Sequence, residues 1–336
     1  MPSDPSPAAV ALDSKVVLAD WPGRARVRVV GPDRAKFLHN LTTNDVNRRS
    51  PGEGCEAFVT SLQGKTLGFV TLVILDDAIL LRTEAEGLPP ILPHLRKYGV
   101  LEEVELEDVT ASTFELHLAG PLAGEVLAAV GVAVESVPGG SLDHVAAEVA
   151  GHPVRVVRER PIGGEGFTLI GAAEGAGAVR SALIAAGTAL GLVELPGEAF
   201  EAFRIEAGTP ASGRDVTEKN LPQELGRDDR AISFVKGCYL GQETVARLDA
   251  LGHVNRLIRG LVIDAEAPPP GGSKLFAGEK EVGWIGSSAV SGRSGKVIAL
   301  GFVRTSHTTP GSAVIVREES GSEASATVQG LPMGTG

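Results

Sequence analysis

The chain has 336 residues, of which 43% are hydrophobic and 22% charged, as is typical of a globular protein of about two or three domains. Its formal net charge of −11 argues against broad nucleic-acid binding, so we expect no direct DNA binding. The first 13 residues lack the basic and apolar runs of a targeting segment, and the apolar run at 69–75 is too short to cross a bilayer. We therefore expect a cytoplasmic protein without membrane contact.

The cysteines and histidines do not follow a pattern typical of metal ligands. Cys55 and Cys238 are too few for a disulfide framework, an iron–sulfur cluster or a structural zinc site. The seven histidines show no ligand spacing either. The sequence therefore predicts no metal site.

Strand and helix patterns alternate through the first three quarters of the chain. Residues 1–13 are rich in Pro, Ser and Ala, and we expect a disordered tail there. Strands are expected at 25–30, 67–75, 78–83, 114–118, 154–158 and 167–170. Helices are expected at 31–41, 88–98, 121–130, 176–186 and 198–207.

After about residue 253 the helical period disappears and short strand patterns remain. They lie at 257–263, 274–276, 281–285, 297–303 and 313–317, and Gly and Pro separate them. Such spacing indicates a small antiparallel barrel. The predicted fold is α+β, with an α+β region at 14–252, a barrel at 253–318 and a disordered tail at 319–336.

The segment 236–243 reads Lys-Gly-Cys-Tyr-Leu-Gly-Gln-Glu, and we call it the octapeptide. Gly237 and Gly241 permit backbone geometry that a Cβ would forbid. A helical pattern follows, so Cys238 is expected on a tight turn ahead of a helix N-terminus, where the helix and Lys236 both favour a thiolate. The alternative is a buried cysteine that fills core space.

A basic stretch covers residues 15–49, with eight basic and three acidic residues. It could meet an anionic ligand or RNA, and the alternative is an ordinary solvated face.

The octapeptide resembles the signature of the YgfZ folate-binding proteins, which are relatives of the glycine-cleavage T-protein, an aminomethyltransferase. Further blocks are similar to those of this family and occur in the same order. They are Gly31-Pro32-Asp33-Arg34, Phe37-Leu38, Leu41-Thr42-Thr43-Asn44-Asp45-Val46, Gln63-Gly64-Lys65, Arg204-Ile205-Glu206-Ala207-Gly208 and Leu221-Pro222-Gln223-Glu224.

This resemblance implies a three-lobed ring. Two α+β lobes within 14–252 would form a cradle for tetrahydrofolate or a folate derivative, and the C-terminal antiparallel β-barrel would pack against them. It also implies a folate-dependent accessory protein that maintains or assembles iron–sulfur clusters in client enzymes, including some that modify tRNA.

The chain departs from the T-protein pattern at one position. The family's catalytic aspartate aligns without gaps with Leu67 or Gly68, neither of which can move a proton, and this argues against aminomethyl transfer. The same comparison offers Glu165 as the carboxylate that holds a pterin. An ungapped match places Gly164 there, so Glu165 fits only if one residue is deleted.

A folate site needs a carboxylate for the pterin, an aromatic wall and a cation for the glutamate tail. Phe200, Arg204 and Glu206 lie on one predicted helix and could supply such contacts. Alternatively, Phe200 belongs to the core, Arg204 is a structural ion-pair partner and Glu206 is solvated.

Other aromatic and basic residues complete the candidate site. Trp21 could offer a stacking wall or cover the edge of a core, and Tyr239 could cap the pocket. Lys236 is either a partner of the thiolate or a surface charge. We expect Cys238 to be exposed at the pocket rim and to act as a thiolate.

Three functions stay open at this stage. The first is the folate-binding accessory protein, the second is a tetrahydrofolate-dependent aminomethyl- or methyltransferase, and the third is a non-catalytic module that binds RNA or a protein through the basic stretch. Whether the chain is an enzyme is therefore not decided by the sequence.

Overall fold

The computed structural model describes residues 4–21 and 23–334. In this part of the chain, two sheets come before the barrel. Their strands are, in chain order, β1 (Val17–Asp20), β2 (Arg24–Val30), β3 (Gly54–Thr60), β4 (Thr66–Ile74), β5 (Ala78–Glu84), β6 (Glu105–Asp108), β7 (Thr113–Ala119), β8 (His144–Val149), β9 (His152–Arg158), β10 (Gly166–Ala172) and β11 (Val193–Leu195).

Helices cover the sheets and connect them. They are α1 (Pro7–Ser14), α2 (Arg34–Leu41), α3 (Leu88–Tyr98), α4 (Ala123–Ala129), α5 (Ala176–Gly187), α6 (Gly197–Ala207), α7 (Asp228–Ala231) and α8 (Gln242–Leu251).

The first sheet has the order β3-β4-β5-β2-β6, and its neighbouring strands are antiparallel. Successive side chains of β2 point to opposite faces of the sheet. Val27 and Val29 pack with α2 and α3 in a hydrophobic core, whereas Arg24 and Arg26 project from the other face and are also buried.

The second sheet has the order β11-β1-β7-β10-β9-β8, in which only the described pair β1–β11 is parallel. Its outer core consists of residues from these strands with α4 and α5, such as Leu118, Val126 and Leu183. Both sheets therefore place their main hydrophobic cores on the helical side.

A layer of buried charge fills part of the space between the sheets. Arg82 of β5 donates to both carboxylate oxygens of Glu115 at 2.9 and 2.8 Å and to Glu159 at 2.7 Å. Its side chain is 0% exposed. Because a buried charge is costly unless it is paired, these contacts fix the two sheets against one another.

The C-terminal strands close into an antiparallel barrel of order β12-β15-β14-β13-β16-β17. Their bounds are β12 (Arg256–Ile263), β13 (Lys274–Ala277), β14 (Lys280–Val290), β15 (Val297–Arg304), β16 (Ala313–Arg317) and β17 (Glu323–Gln329). Aliphatic side chains fill the barrel. A separate core that includes Ile258, Phe302 and Tyr239 joins it to the preceding region.

The predicted α+β fold with a C-terminal barrel is confirmed, and each strand and helix expected from the sequence is present near its expected position. The boundary that we predict at 252/253 lies between the end of α8 at Leu251 and the start of β12 at Arg256.

The two predicted disordered tails are wrong over the described residues. Residues 7–14 form α1, in which Ala9, Ala11 and Leu12 are buried. Residues 323–329 form β17, which pairs with β12 and β16 and closes the barrel. The prediction from composition failed because both segments are ordered by contacts with residues that are distant in the sequence. Residues 1–3 and 335–336 of these tails lie outside the described chain.

The basic stretch is not an exposed cationic face around β2. Arg24 and Arg26 are 5% and 6% exposed. Arg28 pairs with Asp77 at 2.5 Å and with Glu107 at 3.1 Å. Arg24 and Arg26 are therefore buried inside the protein, and Arg28, although partly exposed, is paired with two carboxylates.

Within residues 4–21 and 23–334, no helix has the length and apolar character required to cross a bilayer.

Candidate functional site

A cavity of about 390 Å³ opens between the two sheets and the segment that follows α6. We call it the central cavity. Its volume lies within the range of small-molecule sites. It is lined by Trp21, Arg24, Glu56, Phe69, Thr71, Glu84, Gly139, Ser141, Leu142, Arg158, Glu159, Arg160, Pro161, Thr209, Pro210, Arg227 and Arg230.

Two aromatic walls of the central cavity are each held by an arginine. The guanidinium carbon of Arg24 lies 4.4 Å from the ring centroid of Trp21, and that of Arg227 lies 5.2 Å from Phe69. Phe200 packs behind Trp21 with ring centroids 5.3 Å apart. The walls are thus fixed before any ligand arrives, which lowers the entropic cost of binding a flat ring.

The carboxylates of the central cavity are paired with arginines at 2.7 Å in each case: Glu56 with Arg227, Glu84 with Arg24, and Glu159 with Arg82. Both oxygens of Glu56 accept from Arg227.

Glu159 differs from the other two carboxylates. Its Oε1 accepts from Arg82, whereas its Oε2 has no hydrogen-bond partner among the described residues. Glu159 therefore keeps one oxygen available at the wall of the cavity, where it can accept from the N–H groups of a ligand.

Arginines form the rim. Arg160 and Arg158 both approach Glu165, at 2.8 and 3.5 Å. Arg230 is exposed and has no ion-pair partner among the described residues. The rim therefore carries positive charge that is not fully neutralised, as an anionic group would require.

The block that begins at Leu41 positions Arg230. Thr43 Oγ1 donates to the carbonyl of Ala231 at 2.6 Å, and Asn44 Nδ2 donates to the carbonyl of Arg230 at 2.7 Å. These contacts hold α7 against β3. In the same short helix, burial, aided by Asp229 and Asp249, raises the pKa of Asp228 to about 6.

The octapeptide lines a different groove, of about 790 Å³, which we call the octapeptide groove. Cys238 is exposed there, and Tyr239 is buried apart from 7% of its surface. The groove is lined by Phe37, Asn40, Leu41, Leu62, Tyr98, Glu102, Cys238, Tyr239, Leu240, Gly241, Gln242, Glu243 and Thr244.

The family blocks meet around the octapeptide. Leu240 N donates to the carbonyl of Asn40 at 2.9 Å, Thr244 Oγ1 donates to the carbonyl of Gln63 at 3.0 Å, and Gln223 Nε2 donates to the carbonyl of Val245 at 2.7 Å. Segments that are far apart in the sequence therefore form one structural unit.

Only one of the two octapeptide glycines is required by the backbone. Gly241 has φ +83°, and a Cβ there would lie 2.4 Å from the carbonyl oxygen of Ser61. At Gly237 a Cβ would meet nothing nearer than His39 Nε2 at 3.8 Å. The prediction that both glycines are needed is thus wrong for Gly237, where a Cβ would make only an ordinary van der Waals contact.

Lys236 is neither a thiolate partner nor a surface charge. Its Nζ donates to the carbonyl oxygens of His39, of Thr42 at 2.7 Å and of Asn44 at 2.8 Å. Burial lowers the pKa of Lys236 to about 7. All three donors are directed at the C-terminal end of α2, where carbonyl groups otherwise lack partners.

Arg204 and Glu206 serve to join elements rather than to line a cavity. Arg204 Nη1 pairs with Asp215 at 2.8 Å, and its guanidinium also pairs with Glu201. Glu206 accepts from Ser291 at 2.6 Å and pairs with Arg293. Their assignment to the cofactor is corrected, because buried partners occupy both side chains.

The other site predictions have mixed outcomes. Trp21 lines the central cavity, whereas Phe200 only supports it from behind. Glu165 is exposed and paired with the rim arginines. Cys238 and Tyr239 belong to the octapeptide groove. The single predicted site is therefore divided between two places.

Sequence reasoning missed the charged residues of the central cavity. Arg158, Glu159 and Arg160 form a charged run directly after the strand predicted at 154–158, and this signal could have indicated a site at a strand end. Arg227 and Arg230 had no such signal because their positions depend on contacts with β3.

Two family models match the chain. The GCVT N-terminal domain matches residues 8–236, and the glycine cleavage T-protein C-terminal barrel domain matches residues 256–333. A crystal structure of the glycine cleavage system aminomethyltransferase T from Bartonella henselae superposes with a TM-score of 0.80 at 20% identity, over 96% of this chain and 87% of that chain.

Curated relatives agree with this assignment. A chloroplastic protein of Arabidopsis thaliana that is provisionally named a transferase is 31% identical, over 92% of this chain and 70% of its own length. The aminomethyltransferase of Streptomyces coelicolor is 26% identical, over 96% and 87%. Fold and site define a two-sheet protein with a central cavity and an appended barrel. The chain belongs to the glycine cleavage T-protein family.

Proposed function

We propose that this chain binds a reduced folate in the central cavity and acts as an accessory protein for iron–sulfur client enzymes, including some that modify tRNA, rather than as an aminomethyltransferase. One observation carries the folate assignment: Glu159 lines the same cavity as Trp21 and the rim arginines, and only its Oε1 accepts a hydrogen bond from a described side chain.

The parts of a folate correspond to the parts of the central cavity. The flat pterin suits the walls of Trp21 and Phe69, and its N–H groups can donate to Glu159 Oε2. The glutamate carboxylates suit Arg160 and Arg230 at the rim, because guanidinium groups bind carboxylates in a bidentate manner. A folate therefore satisfies both the acidic wall and the cationic rim.

Two observations argue against aminomethyl transfer. Leu67 and Gly68, which align with the family's catalytic aspartate, carry no titratable group. The carboxylates that line the cavity, Glu56, Glu84 and Glu159, are each paired with an arginine, so no carboxylate among the described lining residues is without an ion-pair partner.

Calorimetric titration with tetrahydrofolate tests the assignment. We expect the wild type to bind and Glu159→Gln to bind about tenfold more weakly, since a charge-assisted hydrogen bond contributes roughly 1.5 kcal/mol or more. Glu194→Gln is the matched control, because Glu194 also pairs with an arginine, Arg180 at 2.5 Å, but neither residue lines the cavity. The affinity of this variant should be unchanged.

Two results would contradict the assignment. One is an absence of heat with the wild type. The other is weaker binding by Glu194→Gln together with normal binding by Glu159→Gln. Thermal unfolding of Glu159→Gln separates a loss of ligand contact from a loss of fold, since Glu159 also pairs with Arg82.

A tetrahydrofolate-dependent transferase is the second candidate, because relatives are named a transferase and an aminomethyltransferase. Formation of methylene- or methyl-tetrahydrofolate from candidate donors, with turnover above the uncatalysed rate, would favour it over the accessory role. The predicted cytoplasmic location stays a prediction, and the Arabidopsis relative is described as chloroplastic.

The accessory role is supported by the surroundings of Cys238. Phe234, Val235 and Leu62 are 44%, 82% and 66% exposed, and exposed apolar side chains near one site indicate a protein partner. Within the described residues, no group of three or more His, Cys, Asp or Glu side chains is arranged to hold a metal, so a cluster would need the ligands of a client.

We expect Cys238→Ser to reduce the activity of an iron–sulfur client enzyme in cells while tetrahydrofolate affinity stays unchanged. Cys55→Ser is the control: Cys55 is 4% exposed, and burial raises its pKa to about 11, so its thiol is unreactive. Full client activity with Cys238→Ser would refute a role for this thiol.

A further inference from the structure

The segment between α4 and β8 forms one wall of the central cavity. We call residues 137–143 the wall segment, of which Gly139, Ser141 and Leu142 line the cavity. Val137 and Leu142 are buried, with 3% and 2% of their surface exposed, whereas the four residues between them are exposed. The part of the wall segment between these two anchors therefore has little packing of its own to fix it.

Arg158, the last residue of β9, holds the wall segment by hydrogen bonds. Its Nε donates to the carbonyl of Pro138 at 3.0 Å, and its Nη2 donates to that of Val137 at 3.3 Å. Its main chain accepts from Leu142 N at 2.8 Å and donates to the carbonyl of Asp143 at 2.9 Å. Arg158 thus contacts the wall segment on both sides of its exposed part.

Leu142 gives the wall segment a strained backbone. It has φ +68°, in the left-handed region that few residues other than glycine adopt. Its side chain belongs to a core that includes Val73 and Val157, so the surrounding structure imposes this conformation. Strain of this kind persists where neighbours fix it, and it clusters at ligand sites. The turn that contains Leu142 is therefore a candidate ligand contact.

Ser141 is the polar side chain that this turn brings to the cavity. Gly140 N donates to Asp143 Oδ2 at 2.8 Å, and Asp143 N donates to the carbonyl of Gly140 at 3.2 Å, so the turn closes around Ser141. The hydroxyl of Ser141 has no hydrogen-bond partner among the described residues. A hydroxyl on a turn that is already ordered can bond to a ligand at low entropic cost.

The guanidinium of Arg158 is committed to the protein. Its Nε and Nη2 donate to the wall segment, and its Nη1 lies 3.5 Å from Glu165 Oε2. Its central carbon lies 4.8 Å from the ring centroid of Phe167. Arg230, by contrast, has no ion-pair partner among the described residues. The two arginines therefore have different roles at the cavity.

We infer that Arg158 is a positioning residue of the central cavity: it holds the wall segment so that Ser141 hydrogen-bonds to the bound ligand, and it does not pair with the ligand itself. This inference rests on the proposed function. For a reduced folate, Arg160 and Arg230 bind the carboxylates, and Arg158 acts only through Ser141.

Calorimetric titration of the full chain with tetrahydrofolate tests this inference by a double-mutant cycle. We expect Ser141→Ala to bind about fivefold more weakly, as the loss of one hydrogen bond would give. Arg158→Met should show a similar loss, since it frees the wall segment and so removes the same contact. The double variant should bind no more weakly than either single variant, because the two losses are one and the same.

Arg158→Lys separates positioning from charge. Lysine keeps the positive charge but lacks the planar fork that reaches two carbonyl groups, so this variant should bind as weakly as Arg158→Met. The dependence of affinity on salt should be equal in Arg158→Met and in the wild type, because no ion pair with the ligand is lost.

Arg155→Met is the matched control. Arg155 lies on the same strand, is partly exposed and does not line the cavity. Its variant changes the net charge as Arg158→Met does, and it should bind tetrahydrofolate as tightly as the wild type.

Several results would overturn the inference. Full affinity in Arg158→Lys, or a weaker salt dependence in Arg158→Met, means that the guanidinium acts as a charge on the ligand. Losses that add in the double variant mean that Arg158 does not act through Ser141. Normal binding by Ser141→Ala, which alters only an exposed hydroxyl, removes the ligand contact and leaves the folate assignment intact. If the wild type does not bind, the folate assignment fails together with this inference.

Discussion

His117 shows how a single residue responds to the charged layer between the sheets. It is 0% exposed, and its Nδ1 lies 2.9 Å from Thr168 Oγ1. Trp21 and Phe200 contact the imidazole ring, with centroids 5.9 and 6.3 Å away. Burial lowers the pKa of His117 to about 4, so the ring stays neutral at physiological pH.

This pKa predicts an acid-sensitive fold. Between pH 6.5 and 4 the unfolded state protonates His117 while the folded state does not, so the free energy of unfolding falls as the pH decreases. We expect His117 to account for a loss on the order of 2 kcal/mol between pH 7 and pH 5. Urea denaturation at the two pH values should show a smaller loss for His117→Gln than for the wild type.

His253→Gln is the control for this experiment because His253 is exposed. Its pH dependence should match that of the wild type. An equal loss in the wild type and in His117→Gln would mean that other groups, such as buried His144, whose pKa burial also lowers to about 4, carry the whole effect.

At the scale of elements, the turn before α8 depends on one glycine. Gly241 is the N-cap of α8 and has a left-handed backbone, and its backbone touches the Gly64 turn, since a Cβ would lie 2.9 Å from Gly64 Cα. The turn therefore fixes the octapeptide to the loop before β4.

We expect Gly241→Ala to lower the free energy of unfolding by about 2–4 kcal/mol, because it combines a left-handed residue with a backbone clash. Gly237→Ala should change it by less than about 0.5 kcal/mol, since the added Cβ would make only an ordinary contact with His39. Urea denaturation measures both variants. Similar losses in the two variants would show that the clash at Gly241 is relieved by movement of the loop.

Sequence patterns predicted elements whose periodicity is local. Strands β4 and β5, which pair with one another, were predicted from two adjacent apolar runs at 67–75 and 78–83. Strands β1 and β11 were missed because each has only three or four residues and is stabilised by a partner that is about 175 residues away in the chain. Short strands carry too few residues for alternation to be recognised.

At the scale of the whole molecule, α1 joins parts that are distant in sequence. Its Leu12 belongs to a core with Trp21 and Phe203. Asp13 pairs with Arg293 at 2.6 Å, and Arg293 in turn pairs with Glu206 of α6. The first helix therefore connects the second sheet, α6 and the barrel.

Deletion of residues 1–14 should lower the free energy of unfolding by about 3 kcal/mol, because it exposes the surface that Leu12, Ala9 and Ala11 cover. Deletion of residues 1–4 is the control and should leave stability unchanged, since it precedes the helix. Chemical denaturation measures both. If the 1–14 deletion variant is as stable as the full chain, this segment is dispensable for folding and the prediction is wrong.

The sequence by itself determined the fold class, the barrel, the family resemblance and the prominence of the octapeptide, because each depends on local periodicity or on contiguous residues. Only the tertiary structure decided which charges meet. In the tertiary structure, Arg24 and Arg26 are buried between the sheets. Arg204 and Lys236 are bound to internal partners. Glu159 lines the central cavity and Glu165 does not. The role of a charged side chain depends on its ion-pair partners. These partners belong to strands that are distant in the sequence, so a local sequence pattern cannot predict them.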